Sequence, residues 1–359
     1  MSTTVLAPSL TEVKTLIDAR LSDYCKVRTI SAAQVGERYQ LLWSSITTLL
    51  ETGGKRLRPF MLITAFDTYA PEGDIEAILP AALAQEMIHV AMLIHDDIID
   101  RDDTRYGIKN IIGQYEDRYT QHIKNPQERM HMTHSSALLA GDVLLSDSYR
   151  LLSRVTCSPE IMTKAMAILS NSVFEVVGGE LLDTESSFIS SADIHAENIA
   201  RYKTASYSFI SPLVMGATLA GAPEEEVQLL HQFAEVLGVG YQLRDDLLGV
   251  FGDEEQTGKS TSTDITEGKR TYLIEQFEQC ATATQKKQFA NIFHKSTASE
   301  EEIVKAKKIL LESGAKSRVE ERIDELQNTA TTILRLLSIS DEAKAPFQHL
   351  ISICLDRES

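Results

Sequence analysis

Apolar residues recur at helical spacing along nearly the whole chain. The stretch Ala81 to Asp100, AALAQEMIHVAMLIHDDIID, follows Pro80, contains no Pro or Gly and is apolar almost all round. That pattern predicts a largely buried helix of about five to six turns. The same spacing predicts helices over His134–Val155, over Glu160–Leu182 with Gly178-Gly179 near its end, and over Glu224–Val250 after Pro223. Glu300–Leu337 is charged and amphipathic, and no Pro interrupts the chain between Pro223 and Pro346. There are no alternating strand runs closed by Asn-Gly or Asp-Gly turns, no internal repeat and no low-complexity linker. Ile108–Met130, polar and containing Pro126, and Gly252–Arg270, rich in Gly, Thr and Lys, read as loops. The pattern as a whole predicts an all-α fold, with residues 1–359 in a single domain.

Composition narrows this further. The chain has 359 residues, 43% of them apolar, enough for a large buried core. Asp and Glu number 52 against 35 Lys and Arg, a formal charge of −17. A surface this acidic argues against nucleic acid as a partner. An anionic small substrate is still possible where bound cations and local Lys or Arg reverse the field. Cys25, Cys157, Cys280 and Cys354 are far apart and form no CxxC, so they read as free thiols in a reducing compartment. The opening MSTTVLAPSL lacks the basic flank and apolar run of a signal peptide. No stretch of about 18 apolar residues runs without a charge, so no transmembrane segment is expected. Together these features predict a cytoplasmic protein.

Two acidic clusters stand out. The first, His95-Asp96-Asp97-Ile98-Ile99-Asp100, closes the very apolar helix. Asp96 and Asp100 are four residues apart, so on a helix their carboxylates share one face and repel unless a cation sits between them. Hard oxygen ligands of this kind suit Mg²⁺, which keeps some waters and completes its shell with substrate phosphate. The second cluster, Tyr241-Gln242-Leu243-Arg244-Asp245-Asp246, closes another apolar stretch and puts Gln242, Asp245 and Asp246 on one face. Either cluster alone could be a solvated helix end. Facing each other, the two would form one polynuclear metal site at the mouth of a cavity.

Basic elements complement them. Gly53-Gly54-Lys55-Arg56-Leu57-Arg58-Pro59 sets three cations beside two glycines. Such glycines let backbone N–H groups approach a phosphate that Lys and Arg neutralise. The spacing is not that of a P-loop, and an ordinary basic turn is the plain alternative. Arg105 follows Asp96 closely enough to meet the same anion, and Lys203-Thr204 lies in a helical stretch. Lys259 and Lys269 sit in the Gly-bearing loop after the second cluster, which reads either as a lid over a phosphate or as a solvated surface loop. His89, two turns before Asp96 on about the same face, reads as a core or bridging residue unless it serves the site.

In chain order, GGKRLRP (Gly53–Pro59), LIHDDIIDRDDTRYG (Leu93–Gly107), LLAGDVLLSDS (Leu138–Ser148), YKT (Tyr202–Thr204), YQLRDDLLGVFGD (Tyr241–Asp253) and TGKSTSTDITEGKRT (Thr257–Thr271) resemble the motifs of the trans-isoprenyl diphosphate synthases. This is the polyprenyl synthetase family that includes the farnesyl and geranylgeranyl diphosphate synthases. The motif core runs over about residues 50–275. The resemblance implies a helical bundle around a deep central cavity, a homodimer, and condensation of isopentenyl diphosphate with an allylic diphosphate. It implies Asp96, Asp100 and Asp245 as ligands of about three Mg²⁺ ions, with Asp97 and Asp246 in support. It assigns Lys55, Arg58 and His89 to isopentenyl diphosphate, and Arg105, Lys203 and Lys259 to the allylic diphosphate. Thr204 and Gln242 match polar groups near the developing carbocation, and Lys269 a cation that helps close the site.

Product length is then a question of sterics. In the family, the fifth and fourth positions before the first Asp often carry aromatics where products stop at fifteen carbons. Here they are Ala91 and Met92, with Ile88 and Met87 forming the next floor. The expected product is geranylgeranyl diphosphate or somewhat longer, unless Met92 is core packing and the stop lies on another helix. Two departures stand out. Tyr106 replaces a second Arg after Arg105, giving a hydrogen bond but no charge, and Gly249 replaces a third Asp four residues after Asp245. They keep open a non-catalytic or partner-dependent subunit of a heteromeric synthase. A metal phosphohydrolase would need a second His-Asp pair, which is absent, and a terpene cyclase would lack GGKRLRP.

Overall fold

The computed structural model describes residues 9–189, 195–252, 261–295 and 297–356. In chain order the elements are α1 (Leu10–Val35), α2 (Glu37–Thr52), α3 (Leu57–Tyr69), α4 (Ile75–Asp100), β1 (Thr104–Arg105), β2 (Ile108–Lys109), α5 (Ile111–Tyr119), α6 (Pro126–Leu152) and α7 (Pro159–Ser186). There follow α8 (Ala196–Ile199), a π-helix (Ala200–Ile210), α9 (Ser211–Leu219), α10 (Glu224–Phe251) and α11 (Thr263–Glu267). The last are α12 (Tyr272–Cys280), α13 (Ala283–Ala290), α14 (Glu300–Glu312), α15 (Ala315–Leu336) and α16 (Asp341–Leu355). Among the described residues β1 and β2 are the only strands, and the fold is all-α.

Two compact units emerge. The first comprises Met1–Leu169 with Pro212–Ala222. Its central helix is α4, which packs on α6 and α3. Ala81, Ala82, Ala84, Met87, Ile88 and Ala91 of α4 are wholly excluded from solvent, as its all-round apolar pattern requires. Small buried residues on α6, Ala137, Ala140 and Gly141, let the two helices approach closely. The second unit comprises Ser170–Ser211 with Pro223–Ser359. Its central helix is α10, which packs on the π-helix, α15 and α16. Phe233 of α10 meets Phe347 of α16 edge-on, ring centroids 5.8 Å apart.

Boundaries differ from the sequence pattern where caps override it. Helix α4 begins ahead of Pro80 because Asp74 caps it, its side chain accepting from Glu76 N at 3.0 Å. Pro80, the sixth residue of α4, gives up the bond to the Glu76 carbonyl and crowds that carbonyl, yet the helix continues to Asp100. The expected loop Ile108–Met130 contains α5 and the start of α6. Asn110 caps the first, and Asn125 with Pro126 starts the second, an arrangement that favours helix initiation. Glu300–Leu337 is two helices, broken at Gly314 in the left-handed region. Among the described residues two helices, α4 and α7, are long and apolar enough to cross a membrane. Helix α4 is 72% buried over its apolar window and is a core helix, whereas α7 is 28% buried.

Candidate active site

In the first unit the end of α4 is turned back on itself. Arg101 closes the helix in the left-handed region, its N–H bonding Asp97 O. Thr104 then pairs with Lys109 and Arg105 with Ile108. The intervening Tyr106 and Gly107 have φ of 53° and 75°, the positive pair that a two-residue hairpin turn needs. Buried Asn110 fastens the hairpin, its Nδ2 donating to Asp102 O at 2.8 Å. The fold-back returns Arg105 to α4. Its Nε donates to Asp97 Oδ1 at 2.7 Å and its Nη2 to Asp96 Oδ2 at 3.0 Å. Burial pushes the Asp97 carboxyl up to about 6 against the pull of Arg105. The Arg105 guanidinium is held charged by Asp97 and Asp96 against its own desolvation. Asp96 and Asp100 are half-buried one turn apart, and Tyr106 is 53% exposed at the turn tip.

The basic turn is assembled around Arg56, which the sequence pattern offers as one of three cations for a phosphate and the structure uses otherwise. Arg56, 3% exposed, adopts φ 53° and ψ 39° at the start of α3. Its guanidinium donates to Asp18 Oδ1 at 2.7 Å, to Glu86 Oε1 at 2.6 Å and to the Leu50 carbonyl. Arg56 is therefore an internal strut, and it leaves Lys55 exposed and Arg58 half-buried at the helix start. Gly53, Arg56, Glu86, His89, Asp97 and Arg105 line a cavity of about 20 Å³, room for about one water. His89 is held neutral by burial and by the charges of Arg58, Arg105 and Arg56, so it can offer a hydrogen bond but not a charge. Ala91 and Ile88 are wholly buried, and Met92 is partly exposed.

In the second unit Lys203 and Thr204 sit on the π-helix, where Ser211 N–H bonds Ser206 O five residues back. Lys203 Nζ lies 3.0 Å from Glu180 Oε2 and 2.6 Å from Asp183 Oδ2, both on α7. A Cβ on Gly179 would stand 2.2 Å from Lys203 N, so glycine there is what allows the two backbones to touch. Thr204 Oγ1 donates to Gln242 Oε1 at 2.5 Å, and Gln242 Nε2 donates to Asp246 Oδ1 at 2.9 Å. Burial pushes the Asp246 carboxyl up to about 7, and the charges of Asp264 and Asp183 add to the rise. Asp245 is half-buried beside it. A Cβ on Gly249 would lie 2.6 Å from Asp264 Oδ2. A carboxylate from α11 thus stands against the position where a side chain of residue 249 would begin.

Each unit thus gathers its own share of the sequence-predicted residues. Sequence reasoning took Arg56 as a third cation for phosphate, and it missed Glu86, Glu180, Asp183 and Asp264. Asp183 and Glu180 lie one turn apart on α7 and could have been read as a like-charge pair awaiting a cation; the others carry no local signal. Lys269 Nζ lies 3.4 Å from Glu267 Oε2, and Lys259 lies outside the described residues. Among the described residues no three His, Cys, Asp or Glu side chains form a ready-made metal cage.

A sequence model of the polyprenyl synthetase family matches residues 39–310. The chain belongs to the polyprenyl synthetase family. Among its relatives, a geranylgeranyl diphosphate synthase of Methanosarcina mazei is 32% identical over 287 residues, 77% of this chain and 78% of that one. A geranylfarnesyl diphosphate synthase of Aeropyrum pernix is 30% identical over 317 residues, 86% of this chain and 92% of its own. Among solved structures, a geranylgeranyl pyrophosphate synthase of Corynebacterium glutamicum, complexed with isoprenyl diphosphate and magnesium, matches with a TM-score of 0.90. It is 30% identical, and the match covers 98% of this chain and 100% of that one. As a family member the chain is an enzyme, a trans-polyprenyl diphosphate synthase that joins isopentenyl diphosphate to an allylic diphosphate. The reading as a non-catalytic subunit finds no support.

Proposed function

We propose that the enzyme makes geranylgeranyl diphosphate or a somewhat longer product, using Mg²⁺ held by Asp96, Asp100 and Asp245, about three ions per site. The observation that carries this reading is the pair of carboxylate clusters ending α4 and α10, the first met by the partly buried Arg105 and the second linked through Gln242 to Thr204, the neighbour of Lys203. The donor set fits Mg²⁺: every candidate ligand is a hard carboxylate oxygen, and a pair of carboxylates suffices when phosphate and water fill the rest of the shell. When bound, the metal ions supply the positive charge that a departing diphosphate needs. Asp97 and Asp246 act as supporting residues of the site from buried positions.

The chain's own groups do the rest. Lys55, Arg58 and neutral His89 hold isopentenyl diphosphate at the start of α3, where the helix dipole favours an anion. Arg105, Lys203 and Lys259 hold the allylic diphosphate and stabilise it as it leaves, and Lys269 helps close the site. Thr204 and Gln242 face the developing allylic cation. Exclusion of water keeps the cation for the double bond of isopentenyl diphosphate. Residues 1–359 act as one catalytic domain, with both carboxylate clusters needed for each turnover. Ala91, Met92 and Ile88 set the product length. None is aromatic, and each CH₂ accommodated contributes roughly 0.8 kcal/mol. The test is incubation with isopentenyl diphosphate, Mg²⁺ and primers of five, ten and fifteen carbons (C5, C10, C15), followed by product sizing. A fifteen-carbon product from the C5 and C10 primers, with no elongation of the C15 primer, would overturn the assigned length.

The enzyme acts as a cytoplasmic homodimer in this reading. Helix α7 carries Phe174, Val177 and Leu181 on one face, 81%, 57% and 58% exposed, more than an isolated helix face leaves to water without reason. A second copy is the occupant that would cover it. Phe174→Glu would convert a dimer to a monomer in sedimentation analysis, and a wild-type monomer would refute the assignment.

A further inference from the structure

We propose that Asp246 is a positioning residue whose carboxylate, through the Gln242 amide, sets the direction of the Thr204 hydroxyl and leaves its oxygen lone pairs for the electron-poor carbon of the allylic substrate. The proposal rests on the prenyl-transfer reading above and gives the second carboxylate of the α10 cluster a task separate from metal binding.

The three side chains form a short line within the second unit. Thr204 Oγ1 donates to Gln242 Oε1 at 2.5 Å, and Gln242 Nε2 donates to Asp246 Oδ1 at 2.9 Å. Gln242 and Asp246 are one turn apart on α10, and Thr204 comes from the π-helix packed on it. Asp246 is 9% exposed and also accepts from the Tyr272 backbone N–H. Both groups that it meets here are therefore N–H donors.

The consequence follows from what each group can do. An amide has one accepting end and one donating end, and a carboxylate only accepts. Asp246 therefore takes the NH₂ end of Gln242, and the carbonyl end faces Thr204. A hydroxyl has a single proton, and here that proton is committed to Gln242 Oε1. What Thr204 has left to present is oxygen lone pairs, the negative end of its dipole. Beside a carbon that becomes positive as the C–O bond breaks, that sign stabilises, and in a partly dehydrated site the effect is larger than in water. If the amide were reversed, Nε2 would donate to Thr204, and the hydroxyl proton would be free to turn toward the cation with the wrong sign. Thr204 thus touches the substrate, Gln242 carries the orientation, and Asp246 decides it.

The experiment compares the wild type with Asp246→Asn, Thr204→Val and the double variant, all near-isosteric. It measures kcat, the KM of the allylic substrate, and Mg²⁺-dependent binding of an unreactive allylic diphosphate analogue by calorimetry. Asn can present either end to Gln242, so Asp246→Asn should lower kcat by about 10²-fold, with the allylic KM and the Mg²⁺-dependent binding within about twofold of wild type. Thr204→Ser, which keeps the hydroxyl, should retain most of the turnover. In the Thr204→Val background the further cost of Asp246→Asn should shrink to about twofold, because coupled residues are not additive. If Asp246→Asn cost as much in that background as in the wild type, or weakened Mg²⁺-dependent binding several-fold, the inference would be overturned alone. A wild type that binds the analogue without turning over the substrates would sink the functional reading along with it.

Discussion

At the end of α4 the carboxylates Asp96 and Asp97 are met by Arg105, eight and nine residues further along the chain and folded back by the Tyr106-Gly107 turn. Among the described residues no such fold-back is seen at the end of α10. Asp245 and Asp246 are followed by Gly249, and the charges near them arrive from other elements: Asp183 from α7 and Asp264 from α11. Lys203, the cation on the π-helix, is itself shared between Glu180 and Asp183. The first cluster is a self-contained piece of chain in which Arg105 answers two of the three carboxylates. The second is a meeting point of distant segments, where among the described residues Asp264 and Asp183 add their negative charge to that around Asp246. An excess of negative charge in half-buried positions is expensive unless cations enter. The α10 cluster therefore has the stronger electrostatic demand for bound metal, and the α4 cluster the stronger preorganisation.

The largest expected effect tests whether the two clusters serve one reaction in spite of this difference. Asp96→Ala and Asp245→Ala should each lower turnover by about 10³-fold or more, with circular dichroism unchanged. If one variant kept turnover within about tenfold of wild type, the clusters would not share a diphosphate. Next comes the rigidity of the basic turn. Arg56→Met leaves Glu86 buried without its partner and should cost about 3–5 kcal/mol of stability, read as a lower midpoint in chemical denaturation. A loss below about 1 kcal/mol would mean that the Arg56 strut is not what holds the turn.

The contrast between the regions also explains what was legible in the chain. Asp96 and Asp100 announce themselves by their spacing and their place at the end of an apolar helix, and Arg105 by proximity. Thr204, Gln242 and Asp246 could be placed on helical faces, but the hydrogen bonds joining them depend on packing between the π-helix and α10, which no local pattern encodes. Lys203 was visible as a cation; its two carboxylate partners lie 20 and 23 residues away. Arg56 looked like a third phosphate-binding cation of GGKRLRP, and only its burial against Asp18 and Glu86 separates it from Lys55 and Arg58. The all-α fold was readable from apolar spacing, while the caps at Asp74, Asn110 and Asn125 moved the boundaries.

A smaller effect probes the preorganised region. Met92 is partly exposed on α4 and Ala91 is wholly buried one residue earlier. Met92→Phe should shorten the principal product by one isoprene unit with little loss of total turnover. Ala91→Phe should shorten it too, with a loss of stability of about 1–3 kcal/mol, because a ring must be forced into filled space. Unchanged product lengths in both variants would move the floor off α4.

The smallest effect falls at Gly249. A third carboxylate four residues after Asp245 is absent, yet Asp264 Oδ2 lies 2.6 Å from where a Cβ at 249 would stand. Asp264 thus brings negative charge to the place that an aspartate side chain at 249 would reach. Gly249→Asp should crowd Asp264 and set two carboxylates against each other, lowering turnover by about three- to tenfold, since a like-charge contact in half-buried surroundings costs about 1 kcal/mol. Removing the competitor should relieve it: in the Asp264→Asn background, Gly249→Asp should cost less than about twofold. If Gly249→Asp were harmless in the wild type, or equally harmful in both backgrounds, Asp264 would not be filling the role of the missing side chain. The α10 cluster would then work with one carboxylate fewer than its electrostatics imply.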